Sequence, residues 1–211
     1  MGDTAVLIVG VLAAYVAGSI PSAYLAGRAK GVDLRKHGSG NLGATNAWRV
    51  LGWRIGLLVY AVDTFKGMLP VFLLPRPATH PELAAIAYGV AAILGHVRPL
   101  FLGFRRGGKG VATAGGVFFA LAPAAFLVAF GVFVLVFLAS GYVSLGSMSA
   151  AAALPVAIYL FGGGASALLA VSVAIAAFVF WTHRANIGRL RRGEESRFRF
   201  GRRAASEGTP R

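Results

Sequence analysis

Between Lys109 and Arg184 the chain runs for 74 residues, 110 to 183, without one Asp, Glu, Lys or Arg. An ordinary soluble core does not use such a run, whereas a lipid bilayer does, because one spanning helix needs about 20 predominantly apolar residues. Both flanks of the run are basic, and basic residues are held on the cytoplasmic side of a membrane. The number of crossings between them is therefore even. Two crossings would leave about 35 residues each, and four would average about 18.5, inside the roughly 17–25 that a span uses. Pro123, Gly141 and the Gly162 to Gly164 run divide the stretch where four crossings require breaks. The expected spans are 110–122, 124–141, 144–161 and 165–183. The first is too short to cross unless the Gly-rich segment before it re-enters the membrane.

The rest of the chain fits a membrane protein. With 57% hydrophobic and 13% charged residues, it departs from a soluble domain, where about a quarter is charged. The 29 Gly follow no three-residue period, which excludes a collagen-like chain, and the hydrophobicity excludes disorder. The absence of Cys removes disulfides, thiolate nucleophiles, iron–sulfur clusters and Cys-type zinc sites. Residues 4–27 are uncharged, preceded by Asp3 and followed by Arg28 and Lys30, the reverse of a signal peptide. They read as a retained first span with the amino terminus outside. Residues 28–54 are too rich in Gly and charge to span and read as a cytoplasmic or re-entrant loop.

A second span is expected over 55–75, closed by Pro75, Pro77 and Pro81, and a third over 83–98, ending in GFRRGGKGVATAGG. The expected fold is an all-α integral membrane protein of seven transmembrane helices, with the carboxyl terminus cytoplasmic. That topology puts 19 of the 21 Lys and Arg on the cytoplasmic side, with Arg76 outside and Lys66 inside a span. Residues 1–184 read as one membrane domain and 185–211 as a basic cytoplasmic tail. The tail with Arg184 carries nine Arg, an anchor to anionic lipid at about 1 kcal/mol per residue near the surface. A monomer without a nucleic-acid partner is expected.

Three polar motifs fall at the cytoplasmic ends of these spans. In GSGNLGATNAWR, residues 38–49, Gly38, Gly40 and Gly43 permit tight turns, while Ser39, Asn41, Thr45 and Asn46 offer short polar groups. Such loops present N–H groups to anions. A helix starting near Ala44 would add its positive end, with Arg49 one turn on to grip phosphate. In GFRRGGKG, residues 103–110, Gly107, Gly108 and Gly110 permit close backbone approach and Lys109 brings a charge. The string nearly matches a nucleotide P-loop, but Gly110 stands where a hydroxyl belongs and no strand precedes it, so a nucleotide site is rejected. In HRANIGRLRRGEE, residues 183–195, His183 and Asn186 share a helix face. Ser144, Ser147 and Ser149 are expected in the same layer. Asp63 and Lys66, also three apart, read as a self-neutralising pair inside the second span. Pro21 and His96 carry no clear message beyond a kink or a helix end.

Several chemistries are excluded. None of the four His has an Asp five positions later, so the H-x-x-x-x-D arrangement of many glycerolipid acyltransferases is missing. Asp occurs only at positions 3, 33 and 63, which leaves no acidic cluster for catalytic magnesium. No metal site and no cofactor are expected. Two anion-binding loops beside a bilayer suggest two anionic substrates, at least one with a lipid chain.

Taken together, the motifs resemble the bacterial integral-membrane glycerol-3-phosphate acyltransferases that use acyl phosphate as donor. The resemblance is carried by GSIPSAYLAGR at 18–28, GVDLRKHGSGNLGATNAWRVLG at 31–52, DTFKG at 63–67, GH and GGKGVAT within 95–113, SLGS at 144–147, and HRANIGRLRRGEE. Arg105 and Arg106 before GGKG, and Arg98, depart from the family's pattern. The resemblance implies acyl transfer from acyl phosphate to the 1-hydroxyl of sn-glycerol 3-phosphate, giving lysophosphatidic acid and phosphate, at the cytoplasmic face of the bacterial inner membrane. By motif position it implies Ser39, Arg49, Lys109, Ser147, His183 and Asn186 as catalytic residues. Substrate binding would fall to Gly40, Asn41, Gly43, Thr45, Asn46, Gly107, Gly108, Gly110 and Glu195. The competing reading is a transporter of phosphorylated metabolites, which would hold its polar groups near the bilayer midplane.

Overall fold

The computed structural model describes residues 2–162 and 164–198, and among these there is no strand. Ten α-helices follow one another: α1 (Asp3–Gly18), α2 (Ser22–Ala29), α3 (Ala44–Leu51), α4 (Trp53–Leu73), α5 (Pro81–Val97), α6 (Val111–Leu121), α7 (Pro123–Ser140), α8 (Val143–Gly162), α9 (Ala167–Thr182) and α10 (Arg184–Arg191). Short 3-10 turns cover Leu34–Lys36 and Leu100–Leu102.

Five segments are long and apolar enough to cross a bilayer: Asp3–Ala29, Trp53–Leu73, Pro81–Leu102, Pro123–Ser140 and Val143–Gly162. A sixth is the pair α9 and α10, bent by 56° at His183. The seventh expected span, α6, has only 11 residues. At 1.5 Å per residue that is about 16 Å, half of a hydrocarbon core. All seven apolar segments read from the sequence are helices, but six at most meet the length of a span. The part of the basic tail from residue 199 onward lies outside the described residues.

The first span is interrupted between Gly18 and Ser22, where Pro21 has no N–H to continue the ladder. Ser19 Oγ donates to the Tyr15 carbonyl at 2.8 Å, and Lys66 Nζ donates to the Ile20 carbonyl at the break, also at 2.8 Å. Close helix pairs are built on small residues, as in membranes generally. A Cβ on Gly18 would overlap the Ala92 carbonyl where α1 meets α5, and one on Gly116 would overlap the Thr64 carbonyl where α6 meets α4. The outward faces are apolar: Leu73, Leu135, Leu138 and Leu160 are each about two-thirds exposed. In water such a belt would be a large liability, whereas lipid tails cover it.

The two ends of the bundle differ. At one, Asp3 accepts hydrogen bonds from the Ala78 and Thr79 amides and the Thr79 hydroxyl, tying the first helix to the turn between α4 and α5. At the other, the loop of residues 30–43, helix α3, residues 103–110, the start of α8 and residues 183–198 come together.

Candidate active site

Residues 38–46 are held by one side chain. Buried Asn46 donates through Nδ2 to the carbonyls of Leu34 (3.2 Å) and His37 (3.1 Å), and its Oδ1 accepts the Ser39 amide at 2.9 Å. With every polar atom of the amide in use, Asn46 folds the loop rather than facing outward. Gly40, at φ +68°, takes the left-handed turn that glycine favours. The loop ends at Gly43, and α3 begins at Ala44 as the sequence predicts. Asn41 Oδ1 is buried and, among the described residues, has no hydrogen-bond partner. Buried polar atoms are nearly always paired, so this acceptor is poised for a donor that enters the cavity.

On the facing side, Lys109 ends a loop that rises to α6. Its ammonium donates to Asn186 Oδ1. Asn186 Nδ2 donates to Glu195 Oε1 at 2.6 Å, and that carboxylate also accepts Ser144 Oγ at 2.7 Å and Arg189 Nε at 2.7 Å. Glu195 thereby orders a lysine, an asparagine, a serine and an arginine from three parts of the chain, Asn186 and Arg189 both lying on α10. Burial favours its neutral form, but the donors from Ser144, Asn186 and Arg189 outweigh that and hold its pKa below the usual value. His183 sits at the bend after α9, with Nδ1 2.8 Å from the Val179 carbonyl. A carbonyl only accepts, so Nδ1 carries the proton and Nε2 is left as an acceptor.

The charge balance favours an anion. Lys109 is pushed down to about 8, first by burial and then by Arg189, Arg106 and Arg49, against the opposing pull of Glu195. Burial and Arg189 also lower Arg49. A cation that would rather lose its proton gains most from an arriving negative charge. Among the described residues no group of three His, Asp or Glu side chains is placed to hold a metal ion.

These groups line the polar end of a cavity of about 260 Å³. Ser39, Asn41, Gly43, Thr45 and Asn46 form one wall with Arg49, and Lys109, Gly110, Ser147, His183, Asn186 and Glu195 the other. The Ser147 hydroxyl donates back to the Val143 carbonyl at 2.8 Å. Gly40, Gly107 and Gly108 are not in the cavity wall; Gly107 and Gly108 lie behind it, against Pro99 and His96. From the polar end the cavity continues between α6, α7, α8 and α9 over Phe118, Phe130, Leu154 and Ile175. An alkyl chain lying between spans is expected from the sequence, but the helices and residues that line this arm are not, because they do not differ in type from any other membrane-facing ones.

Sequence reading also missed two further parts. Asp63 and His96 both line the cavity, the first read as a neutralised pair and the second as uninformative. Residues 196–198 cross to α3 and α7. Arg49 Nη2 donates to the Ser196 carbonyl at 3.2 Å, the Phe198 amide donates to the Gly141 carbonyl at 2.7 Å, and the Phe198 ring meets Trp48 at 5.1 Å. Nothing in a basic, Arg-rich run signals such docking.

Comparison with known proteins gives one answer. Residues 8–193 match the family model described as glycerol-3-phosphate acyltransferase. The glycerol-3-phosphate acyltransferase of Geotalea daltonii is 47% identical over 192 residues, covering 91% of this chain and 97% of that protein. That of Trichlorobacter lovleyi is 48% identical over 189 residues, covering 90% and 96%. Among solved structures, the glycerol 3-phosphate form of PlsY (YgiH), an integral membrane glycerol 3-phosphate acyltransferase, superposes with a TM-score of 0.86 at 40% identity, covering 92% of this chain and 96% of that one. Its lysophosphatidic acid form gives 0.83 at 39% identity, covering 92% and 95%. With a helical fold, an anion-attracting cavity and these matches over most of its length, the chain belongs to the glycerol-3-phosphate acyltransferase family.

Proposed function

We propose that this chain transfers a fatty acyl group from acyl phosphate to the 1-hydroxyl of sn-glycerol 3-phosphate, releasing lysophosphatidic acid and phosphate. The observation that carries the reading is the junction of a cationic pocket, Arg49 and Lys109, with an apolar arm between α6 and α9. An acyl phosphate offers an anionic head and an apolar tail, and glycerol 3-phosphate a second anion. The solved relative has crystal structures of a glycerol 3-phosphate form and a lysophosphatidic acid form.

Acyl phosphate is a mixed anhydride whose leaving group is phosphate, so transfer needs positioning and anion stabilisation more than a strong base. The hydroxyl oxygen of glycerol 3-phosphate attacks the acyl carbon, a C–O ester bond forms, and the C–O bond to phosphate breaks with its electron pair leaving on phosphate. Orientation can contribute up to about 7–11 kcal/mol in favourable models. Arg49 and Lys109 hold the phosphate of glycerol 3-phosphate. The 38–46 loop and Asn186 orient the acyl phosphate, and Asn41 Oδ1 accepts a glycerol hydroxyl. Ser39 and Ser147 add hydroxyls beside the reacting groups, and Thr45 and the Gly110 backbone line the phosphate pockets. The hydroxyl proton goes to a substrate phosphate oxygen. His183, with Nδ1 engaged on the Val179 carbonyl, serves as an acceptor that orients a hydroxyl through Nε2.

In the membrane the chain is a monomer of seven crossings, α6 completing the fourth through the Gly-rich segment before it. The amino terminus lies outside, and the site and the tail of residues 185–211 lie at the cytoplasmic face of the bacterial inner membrane, beside anionic lipid. Support comes from the charge distribution and from the clustering of polar groups at helix ends rather than at mid-depth, which favours an enzyme over a carrier.

The test is direct. Purified protein in lipid receives palmitoyl phosphate and radiolabelled glycerol 3-phosphate, with no metal, ATP, acyl-CoA or acyl carrier protein. Lysophosphatidic acid with matching phosphate release is expected. A folded sample that gives no product across several chain lengths overturns the assignment of the donor.

A further inference from the structure

Gly107 and Gly108 precede Lys109 and rest on the end of α5. The Gly107 amide donates to the Val97 carbonyl at 2.9 Å and the Gly108 amide to the His96 carbonyl at 3.3 Å. A Cβ on Gly108 would overlap the His96 ring at Nε2, and would stand 2.9 Å from the Leu42 carbonyl. The His96 ring is thus the surface on which the second loop lies, at the point where the first loop also comes in. Its accessible area is only 5%, and it reaches the wall of the main cavity as well as a small crevice behind it that Gly107 and Gly108 line.

From behind, the ring faces a charge. His96 Nδ1 lies 3.5 Å from Asp63 Oδ1. That oxygen is held in place by Lys66 Nζ at 2.7 Å and by Ser22 Oγ at 2.6 Å. Apart from this contact, Nδ1 has no hydrogen-bond partner among the described residues. A buried ring nitrogen without a hydrogen bond costs free energy. The arrangement persists because Asp63 draws the Nδ1 edge inward and the packed loop closes over the other edge. Asp63 and Lys66 are more than a self-neutralised pair, since they form with Ser22 the polar foundation beneath His96.

We propose that His96 is a positioning residue: braced by Asp63, its ring sets the height of the Gly107–Gly110 backbone and hence where Lys109 meets substrate phosphate. The side chain acts through the loop and takes no part in bond making. The inference rests on the reading that this loop receives the phosphate of glycerol 3-phosphate.

The experiment measures equilibrium binding of glycerol 3-phosphate by calorimetry, and KM and kcat, for the wild type and His96→Ala, His96→Gln and His96→Asn in the same lipid. Displacement of a phosphate cradle is expected to act mainly on ground-state binding, raising KM and Kd of His96→Ala about tenfold or more while kcat changes less. His96→Gln places an amide near the Nε2 position and restores most of the affinity. His96→Asn reaches only the Nδ1 position and does not. If His96→Ala fails to fold, the order of Gln above Asn still decides. Unchanged affinity in folded His96→Ala overturns the proposal, as does Asn equalling or exceeding Gln. A wild type that does not bind glycerol 3-phosphate overturns the functional reading instead.

Discussion

Lys109 and Asn186, 77 positions apart, are joined by a hydrogen bond from ammonium to amide oxygen, and Asn186 passes the contact on to Glu195. The lysine is therefore aimed before any substrate arrives. A long flexible side chain would otherwise lose up to about 2 kcal/mol of rotamer freedom on binding.

Removing that charge should be severe. Lys109→Met keeps much of the apolar stem and removes the cation, and kcat/KM for glycerol 3-phosphate is expected to fall about 10²–10³-fold, as for loss of one preorganised charge-stabilising donor. Lys109→Arg is not expected to restore it. The guanidinium is longer and planar, and cannot occupy the ammonium's place against Asn186. Steady-state kinetics on folded variants check both statements.

The same lysine sets an alkaline limit. Its pKa stands at about 8 rather than the ordinary 10.5, chiefly because it is buried. On the proposed role of Lys109 in holding phosphate the protonated form is the active one, so kcat/KM should decline as pH rises through about 8. Bound phosphate favours the ammonium, so the decline in kcat should lie at higher pH than the decline in kcat/KM. A profile of kcat/KM flat to pH 9.5 would contradict the assignment.

Much of this site was legible because its groups carry sequence signals. Asn41, Asn46, Lys109 and Asn186 are polar residues among glycines at the ends of apolar runs, which is costly unless something polar is met. The fold was legible for a related reason: Pro123 and Gly141 stand at helix boundaries, where their backbone preferences are decisive. Other features have no such signature. A sequence does not show that the Gly108 backbone lies on the His96 ring, nor that Asn46 spends its whole amide on its own loop. The docking of Phe198 against Trp48 depends on a tertiary approach between residues 150 apart. The length of α6 was read correctly as too short, yet whether such a helix completes a crossing is set by its neighbours, not by its own residues.

Glu195 should matter for stability as well as activity. In Glu195→Gln, one acceptor oxygen becomes a donor that faces Ser144, Asn186 or Arg189, all of them donors. A cost of about 1–3 kcal/mol is expected for the mismatch. Because the folded-state pKa of Glu195 is depressed, its stabilisation is present above the unfolded carboxylate value and is lost as pH falls through the folded one. The gap in melting temperature between wild type and Glu195→Gln should therefore be full near pH 7 and close under acid. Thermal unfolding in detergent at several pH values measures it.

The contact of α4 with α6 gives a test of packing. A methyl on Gly116 would overlap the Thr64 carbonyl, a backbone atom that cannot turn aside, whereas Gly131 on α7 has nothing within 4 Å of an added Cβ. Gly116→Ala is expected to destabilise by about 1–3 kcal/mol through overpacking. Gly131→Ala should be neutral or stabilising by about 0.5–1 kcal/mol, since alanine loses less backbone freedom in a helix. Equal melting temperatures for the two variants would mean that α4 and α6 are not in close contact.

The apolar arm makes a prediction about chain length. Ala129 on α7 is 5% exposed and lines the arm together with Phe126 and Phe130. Ala129→Phe places a ring in the space where a long acyl chain would lie, leaving the polar end at Lys109 and Arg49 untouched. Each methylene denied burial there costs about 0.8 kcal/mol, so a chain displaced by two methylenes loses about tenfold in binding. The ratio of kcat/KM for palmitoyl phosphate to that for decanoyl phosphate should fall by at least that factor, with the KM for glycerol 3-phosphate unchanged. If both donors lose activity equally, the chain lies elsewhere, and the cavity between α6 and α9 is not its seat. A loss confined to the longer donor would place the chain along α7 and make residue 129 a determinant of chain length.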